Sequence, residues 1–118
     1  MKSYTDLEQS HKLAEILPLE SADLFYTLID QGLYLEVKQG IEPSKDDIPC
    51  WSLAALLGVL PKYIGDSVLR MDMSENDFNL WFDDLSGVVD ILLPDITKDN
   101  PIDACFKMIL RLHELKLL

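Results

Sequence analysis

The chain is poor in the residues that staple, cradle or span. Its 118 residues include two cysteines, Cys50 and Cys105, too few for a disulfide scaffold. Its five glycines are all isolated, so no Gly-rich loop is present to wrap a phosphate. The longest uninterrupted apolar run covers residues 53–60, too short to cross a bilayer. The opening Met-Lys-Ser-Tyr-Thr-Asp has no apolar h-region, so no signal peptide is expected and the protein is expected in the cytoplasm. Basic side chains are scarce, 10 Lys and Arg against 21 Asp and Glu. Lys and Arg make most phosphate contacts, so neither direct nucleic-acid binding nor adhesion to an anionic membrane is expected. No CxxC, HExxH or GxSxG motif occurs. No cofactor or metal is expected.

What is present suits a globular domain. Apolar residues make up 48% and charged residues 26%. The net charge of −11 is concentrated: residues 66–103 hold ten acids against Arg70 and Lys98, a net of −8. Such a surface favours a basic partner or a metal ion, or simply keeps the protein soluble.

Helical signals bracket the chain. Thr5 followed by Glu8 fits a capping box, and Leu7, Ala14 and Leu17, broadened by Leu13 and Ile16, predict a helix over residues 5–17 that Pro18 stops. Pro49 at a first helical position and the stripe Leu53, Leu56, Leu57, Leu60 predict a buried helix over residues 49–58. Asn100 as N-cap, Pro101 next and Asp103 in the first turn open the last helix, whose row is Ile102, Cys105, Met108, Ile109, Leu112 and Leu115.

Strand signals lie between. Leu33, Leu35 and Val37 alternate with Tyr34 and Glu36, the period of a half-buried strand. Residues 22–29 are apolar in both registers. Strand is preferred over a short helix, with Asp30-Gln31-Gly32 as the hairpin turn and Gly32 supplying a positive φ. Residues 39–49 read as a polar loop. Leu69, Met71 and Met73 and then Phe78, Leu80 and Phe82 form two apolar rows of a second hairpin, turned at residues 74–76. Residues 88–93 would add a strand ended by Pro94, or a helical turn. The expected architecture is a single α+β domain over residues 1–118, with three helices packed on an antiparallel sheet of four to five strands built from hairpins.

Little here assembles into chemistry. Asp72-Met-Ser-Glu-Asn-Asp77 begins like a calcium loop, but position six is Asp77 where Gly is needed and position twelve is Asp83 where Glu is needed, so a hairpin turn is the better reading. Asp83 and Asp84 are adjacent, and adjacent strand residues point to opposite faces. Cys105 and His113 are eight residues apart, ~12 Å along a helix, too far to pair. Cys50, between Pro49 and Trp51, reads as a small buried hydrophobe, although a helix start could lower its pKa. Trp51 reads as core. Trp81 falls on the strand face opposite Phe78, Leu80 and Phe82; beside acids it could anchor a protein partner. Trp81, Asp83, Asp84 and Asp90 are therefore the candidate partner-binding residues.

Three segments carry a resemblance: Leu17-Pro-Leu-Glu-Ser-Ala-Asp23, Ile48-Pro-Cys-Trp-Ser-Leu-Ala-Ala-Leu-Leu-Gly-Val-Leu-Pro61, and Asp99-Asn-Pro-Ile-Asp-Ala-Cys105 with Leu112-His-Glu-Leu115. The chain resembles a family of short acidic uncharacterised proteins encoded by phages, prophages and mobile elements of gut anaerobic bacteria. The resemblance spans most of the chain, is weakest over residues 62–98, and transfers no catalytic residue. It implies an intracellular setting in a bacterium. Three functional expectations follow: a non-enzymatic interaction module that binds another protein or itself; an acidic inhibitor offering Asp and Glu in place of DNA phosphates to a basic host protein; and, disfavoured, a small enzyme.

Overall fold

Strands and helices alternate irregularly along this chain, giving an α+β protein with antiparallel sheets. The structure is a computed structural model that describes residues 2–38, 43–86 and 93–118. Among them are three α-helices, one 3-10 turn and seven strands. The chain separates into two compact units, residues 2–59 and residues 60–118.

In the first unit, α1 (Leu7–Ala14) starts one residue later than the capping signal at Thr5 predicts. Asp6 is the N-cap: its Oδ1 accepts from Gln9 N (2.8 Å) while Gln9 Oε1 accepts from Asp6 N (3.1 Å), a complete capping box. Thr5 is withdrawn from that role by pairing with the backbone of Trp51. The buried side of α1 is Gln9, Ser10 and Leu13, continued by Leu17, whereas Leu7 is exposed. The 3-10 turn Leu19–Ser21 follows Pro18.

Strands β1 (Leu24–Ile29) and β2 (Gly32–Val37) form the predicted hairpin, with strand rather than helix in the first run. Its loop is two residues, Asp30 and Gln31, at φ 48° and 65°, as a type I′ turn requires. Gly32 is not the positive-φ residue. It belongs to β2, where a Cβ would come within 2.8 Å of the Tyr34 ring. The alternation predicts a half-buried strand; Leu35 is half-buried, but Leu33 and Val37 are exposed.

The predicted helix at Pro49 is replaced by strand β3 (Ile48–Cys50), which pairs with the other side of β1. Proline is tolerated because β3 is an edge and Pro49 lies opposite Phe25, whose hydrogen-bonding groups turn toward Glu36 of β2. Helix α2 (Leu53–Val59) begins after it, with Ser52 as its cap: Ala55 N donates to Ser52 Oγ (3.3 Å). Leu56 is buried in α2, but Ala54 and Gly58 are exposed, so this helix is not wrapped all round.

In the second unit, β4 (Tyr63–Ile64), β5 (Ser67–Met73), β6 (Phe78–Asp84) and β7 (Ile96–Lys98) form a meander in that order. The β5–β6 hairpin turns over residues 74–77, where Ser74 N donates to Asp77 O (2.9 Å) and Asp77 N to Ser74 Oγ (3.2 Å). This is the turn that resembles a calcium loop. Helix α3 (Pro101–Glu114) is capped by Asn100, which accepts from Asp103 N at 2.9 Å, and it packs on β6 and β7. Its Ile102, Cys105, Met108, Ile109 and Leu112 are buried, as are Phe78, Leu80 and Ile96 on the sheet. Leu115 ends the predicted row exposed. Burying each large aliphatic or aromatic side chain stabilises by ~1.5–3 kcal/mol. Met71 and Met73 share the apolar face of β6 but stay exposed.

The expected single sheet of four to five strands is thus corrected to two sheets, of three and four strands. Periodicity marks a strand but not its partner. Each hairpin turn fixes one pair, β1–β2 and β5–β6, and the remaining strands add to the sides of those pairs. The strand or turn expected over residues 88–93 lies mostly outside the described residues.

Candidate functional site

Trp81 and Asp83 sit on one face of β6, two residues apart. Arg70 of β5 lies directly opposite Trp81, and its Nε is 3.5 Å from Asp83 Oδ2. Both members of that pair are about half exposed, so the bridge is a weak solvated one. Trp81 is half-buried. Asp84 points to the other face, and its Oδ1 accepts from Ser86 N (3.0 Å) and Oγ (2.7 Å), closing the turn after β6. The structure therefore brings Trp81, Arg70 and Asp83 together and sends Asp84 elsewhere. Asp90 lies outside the described residues.

A second polar centre, which the sequence did not reveal, is buried around Thr5. Thr5 N donates to Trp51 O (2.9 Å), and Trp51 N donates back to Thr5 Oγ1 (3.1 Å). That Oγ1 also lies 2.8 Å from Ser10 Oγ and 3.5 Å from Cys50 Sγ. Thr5 O accepts from Tyr26 Oη (2.7 Å) and Cys50 Sγ (3.4 Å). Thr5, Ser10 and Cys50 have no exposed surface. Burial pushes the Cys50 thiol up, against the opposing pull of hydroxyls from Thr5, Ser10 and Tyr26. Burial likewise raises the Tyr26 phenol far above its usual range, with Cys50 adding to the effect. Cys50 is on a strand, not at a helix start, so no helix dipole lowers its pKa. A thiol held protonated is a donor and not a nucleophile. The cluster joins the start of α1 to β1 and β3 by hydrogen bonds whose partners are up to 46 residues apart.

Trp51 is fully buried, as expected, and its Nε1 donates to Ser21 Oγ (2.9 Å). Asp23 accepts from Ser52 N (2.9 Å) and from Ser52 Oγ, fastening the cap of α2 to the start of β1. His11 and His113 are exposed. Among the described residues no group of three or more His, Cys, Asp or Glu is placed to hold a metal ion, and no helix is long and apolar enough to cross a membrane. An open hollow of about 480 Å³ has Ala14, Ala22, Phe25 and Pro49 in its lining together with Lys38, Lys45 and Asp47. Lys38 Nζ donates to Leu19 O (3.2 Å).

The most exposed apolar surface of the first unit is the β1–β2 hairpin. Leu28 is 72% exposed, Val37 58%, Tyr34 52%, Ile29 49% and Leu33 47%. Leu28 faces Leu33, Tyr26 faces Leu35 and Leu24 faces Val37 across the ladder, so these six side chains share one sheet face. The alternation in residues 33–37 was the signal for this face. Periodicity alone does not say which side of a strand is covered.

Comparison with protein-family profiles, with curated proteins and with solved structures finds no match for the chain.

Proposed function

We propose that the protein is a non-enzymatic interaction module, encoded by a phage or other mobile element, that works in the cytoplasm of a bacterium by binding protein, either another chain or its own. One observation carries this reading: Leu28, Leu33 and Val37 are left in water on one face of the β1–β2 hairpin, and Ile29 and Tyr34 on the other. Exposed apolar patches on otherwise polar surfaces mark interaction sites. The two-residue turn sets the register of the hairpin and so which side chains share a face.

The readings that compete have less support. An acidic inhibitor would use Asp83, Asp84 and Asp90, yet Asp83 and Asp84 point to opposite faces of β6 and Asp84 is taken up by Ser86. An enzyme using Cys50 as nucleophile would need a thiolate, and burial works against one.

The test compares wild type with a Leu28→Ser/Leu33→Ser/Val37→Ser variant, each immobilised and exposed to bacterial lysate and, separately, to purified wild-type chain. The reading expects retention of a protein, host or own chain, that falls roughly tenfold or more with the variant. Equal retention by both, or no retention by wild type from either source, overturns it.

A further inference from the structure

We propose that two copies of this chain associate by pairing their β2 strands edge to edge, antiparallel, about a two-fold axis at Leu35. The inference rests on the interaction reading above and names its partner.

Four strands among the described residues have an open side: β2 and β3 in one sheet, β4 and β7 in the other. Three of them are defended or short. β3 has three residues with Pro49 in the middle, β4 has two, and β7 has three ending in Lys98. β2 has six residues, Gly32-Leu-Tyr-Leu-Glu-Val37, with no proline, no lysine and no bulge. It is the edge that invites another strand.

The hairpin geometry fixes which groups are free. In a two-residue hairpin the closing pair, here Ile29 and Gly32, is hydrogen-bonded, and bonded pairs then alternate with unbonded ones. Thr27–Tyr34 and Phe25–Glu36 are thus bonded across the ladder, and the series continues outside the strands with Lys38 N donating to Asp23 O (3.0 Å). Leu33, Leu35 and Val37 therefore turn their N–H and C=O away from β1, toward the open edge.

Those three residues determine the register. With Leu35 opposite Leu35 of the second copy, Leu33 meets Val37 and Val37 meets Leu33, so all three outward residues on each strand exchange bonds, about six in total. Moving the axis one residue either way, a two-residue slip between the strands, leaves about four. Charge selects the same arrangement. Glu36 is the one charged residue of β2. The Leu35-centred register sets it against Tyr34 of the second copy, whereas centring on Glu36 would set two carboxylates face to face. Apolar row then meets apolar row: Leu33, Leu35 and Val37 of each copy form one continuous face. Residues 24–38 carry only Asp30, Glu36 and Lys38, a net of −1 in a chain of −11, so the copies meet where repulsion is least.

Register is tested by mixing two single variants, Tyr34→Cys and Glu36→Cys. Positions 34 and 36 of opposite copies form unbonded pairs with close Cβ atoms, suited to a disulfide. Native Cys50 and Cys105 are fully buried and do not compete. Mild oxidation should cross-link the mixture to a dimer at least roughly tenfold above either variant alone. Sedimentation equilibrium of wild type should show dimer that strengthens as salt rises, because both copies are acidic. Leu35→Pro deletes an outward N–H and no bond to β1, and should weaken association roughly tenfold or more. If that variant unfolds by circular dichroism, Leu35→Glu, which opposes two carboxylates at the axis, replaces it. A wild type monomeric up to roughly 0.5 mM, a concentration at which even a weak edge-paired dimer is populated, overturns the proposal. So does equal cross-linking by a single variant and the mixture. If the chain is monomeric but the hairpin still retains a host protein, only this inference fails. If neither occurs, the interaction reading fails with it.

Discussion

Thr5 has no exposed surface, and its N–H, its carbonyl and its hydroxyl are all hydrogen-bonded. Thr5→Val keeps the shape and deletes the acceptor of the Trp51 N–H, leaving a buried donor without its partner. The expected loss is about 1–3 kcal/mol in urea unfolding. Thr5→Ser keeps the hydroxyl and should lose only about 0.8 kcal/mol for the missing methyl. Equal losses for the two would show that the hydroxyl is not what matters. A second residue-level expectation concerns pH. Burial pushes the Cys105 thiol from 9.0 up to about 12. Its folded pKa lies above its unfolded one, so its contribution to stability is complete below pH 9 and is lost as pH rises toward 12. Unfolding free energy should fall over that window, and Cys105→Val should flatten part of the fall. A Cys105→Val profile identical to wild type would contradict this. At this scale Trp51 as core and Cys50 as a small buried group were legible in the sequence. Their hydroxyl partners were not, because Thr5 and Cys50 are 45 residues apart and nothing local links them.

Elements with local signals were read well, and those held by distant pairing were not. Helix α3 opens with Asn100, Pro101 and Asp103, and the structure uses all three as the spacing predicts. Asn100→Ala should cost about 1 kcal/mol, with Asn100→Ser recovering most of it, measured by thermal melting. No difference between Ala and Ser would remove the cap from the account. The β1–β2 turn places Gln31 at φ 65°, a region that penalises side chains with a Cβ by about 1–2 kcal/mol. Gln31→Gly should therefore raise stability by up to about that amount, less the greater freedom of glycine when unfolded. Lowered stability on denaturation would refute the turn assignment. Helix α1 was found but began one residue late, because Asp6–Gln9 satisfies the capping rule as well as Thr5–Glu8 does, and Thr5 had a better partner in Trp51. Strand β3 was missed since three residues are too few for periodicity, and its Pro49 argued for a helix start. Only its pairing with residues 24–26 makes it a strand.

For the whole chain, the dominant fact is a net charge of −11. Like charges repel most in the compact state, so salt should stabilise it. Raising ionic strength from about 0.01 to about 0.1 M shortens the screening length from about 30 to about 10 Å, and Tm should rise. A Tm that stays level or drops would mean that ion pairs such as Arg70–Asp83 outweigh the repulsion. The sequence by itself determined the charge, the α+β class, the two hairpins and the last helix, because composition, caps and turn residues act within a few positions of themselves. Only the tertiary structure decided that the strands divide into two sheets, that Thr5 gathers Trp51, Cys50, Ser10 and Tyr26, and that Leu33 and Val37 of β2 face water. Alternation makes two faces, and which one is covered depends on what packs against it from elsewhere in the chain.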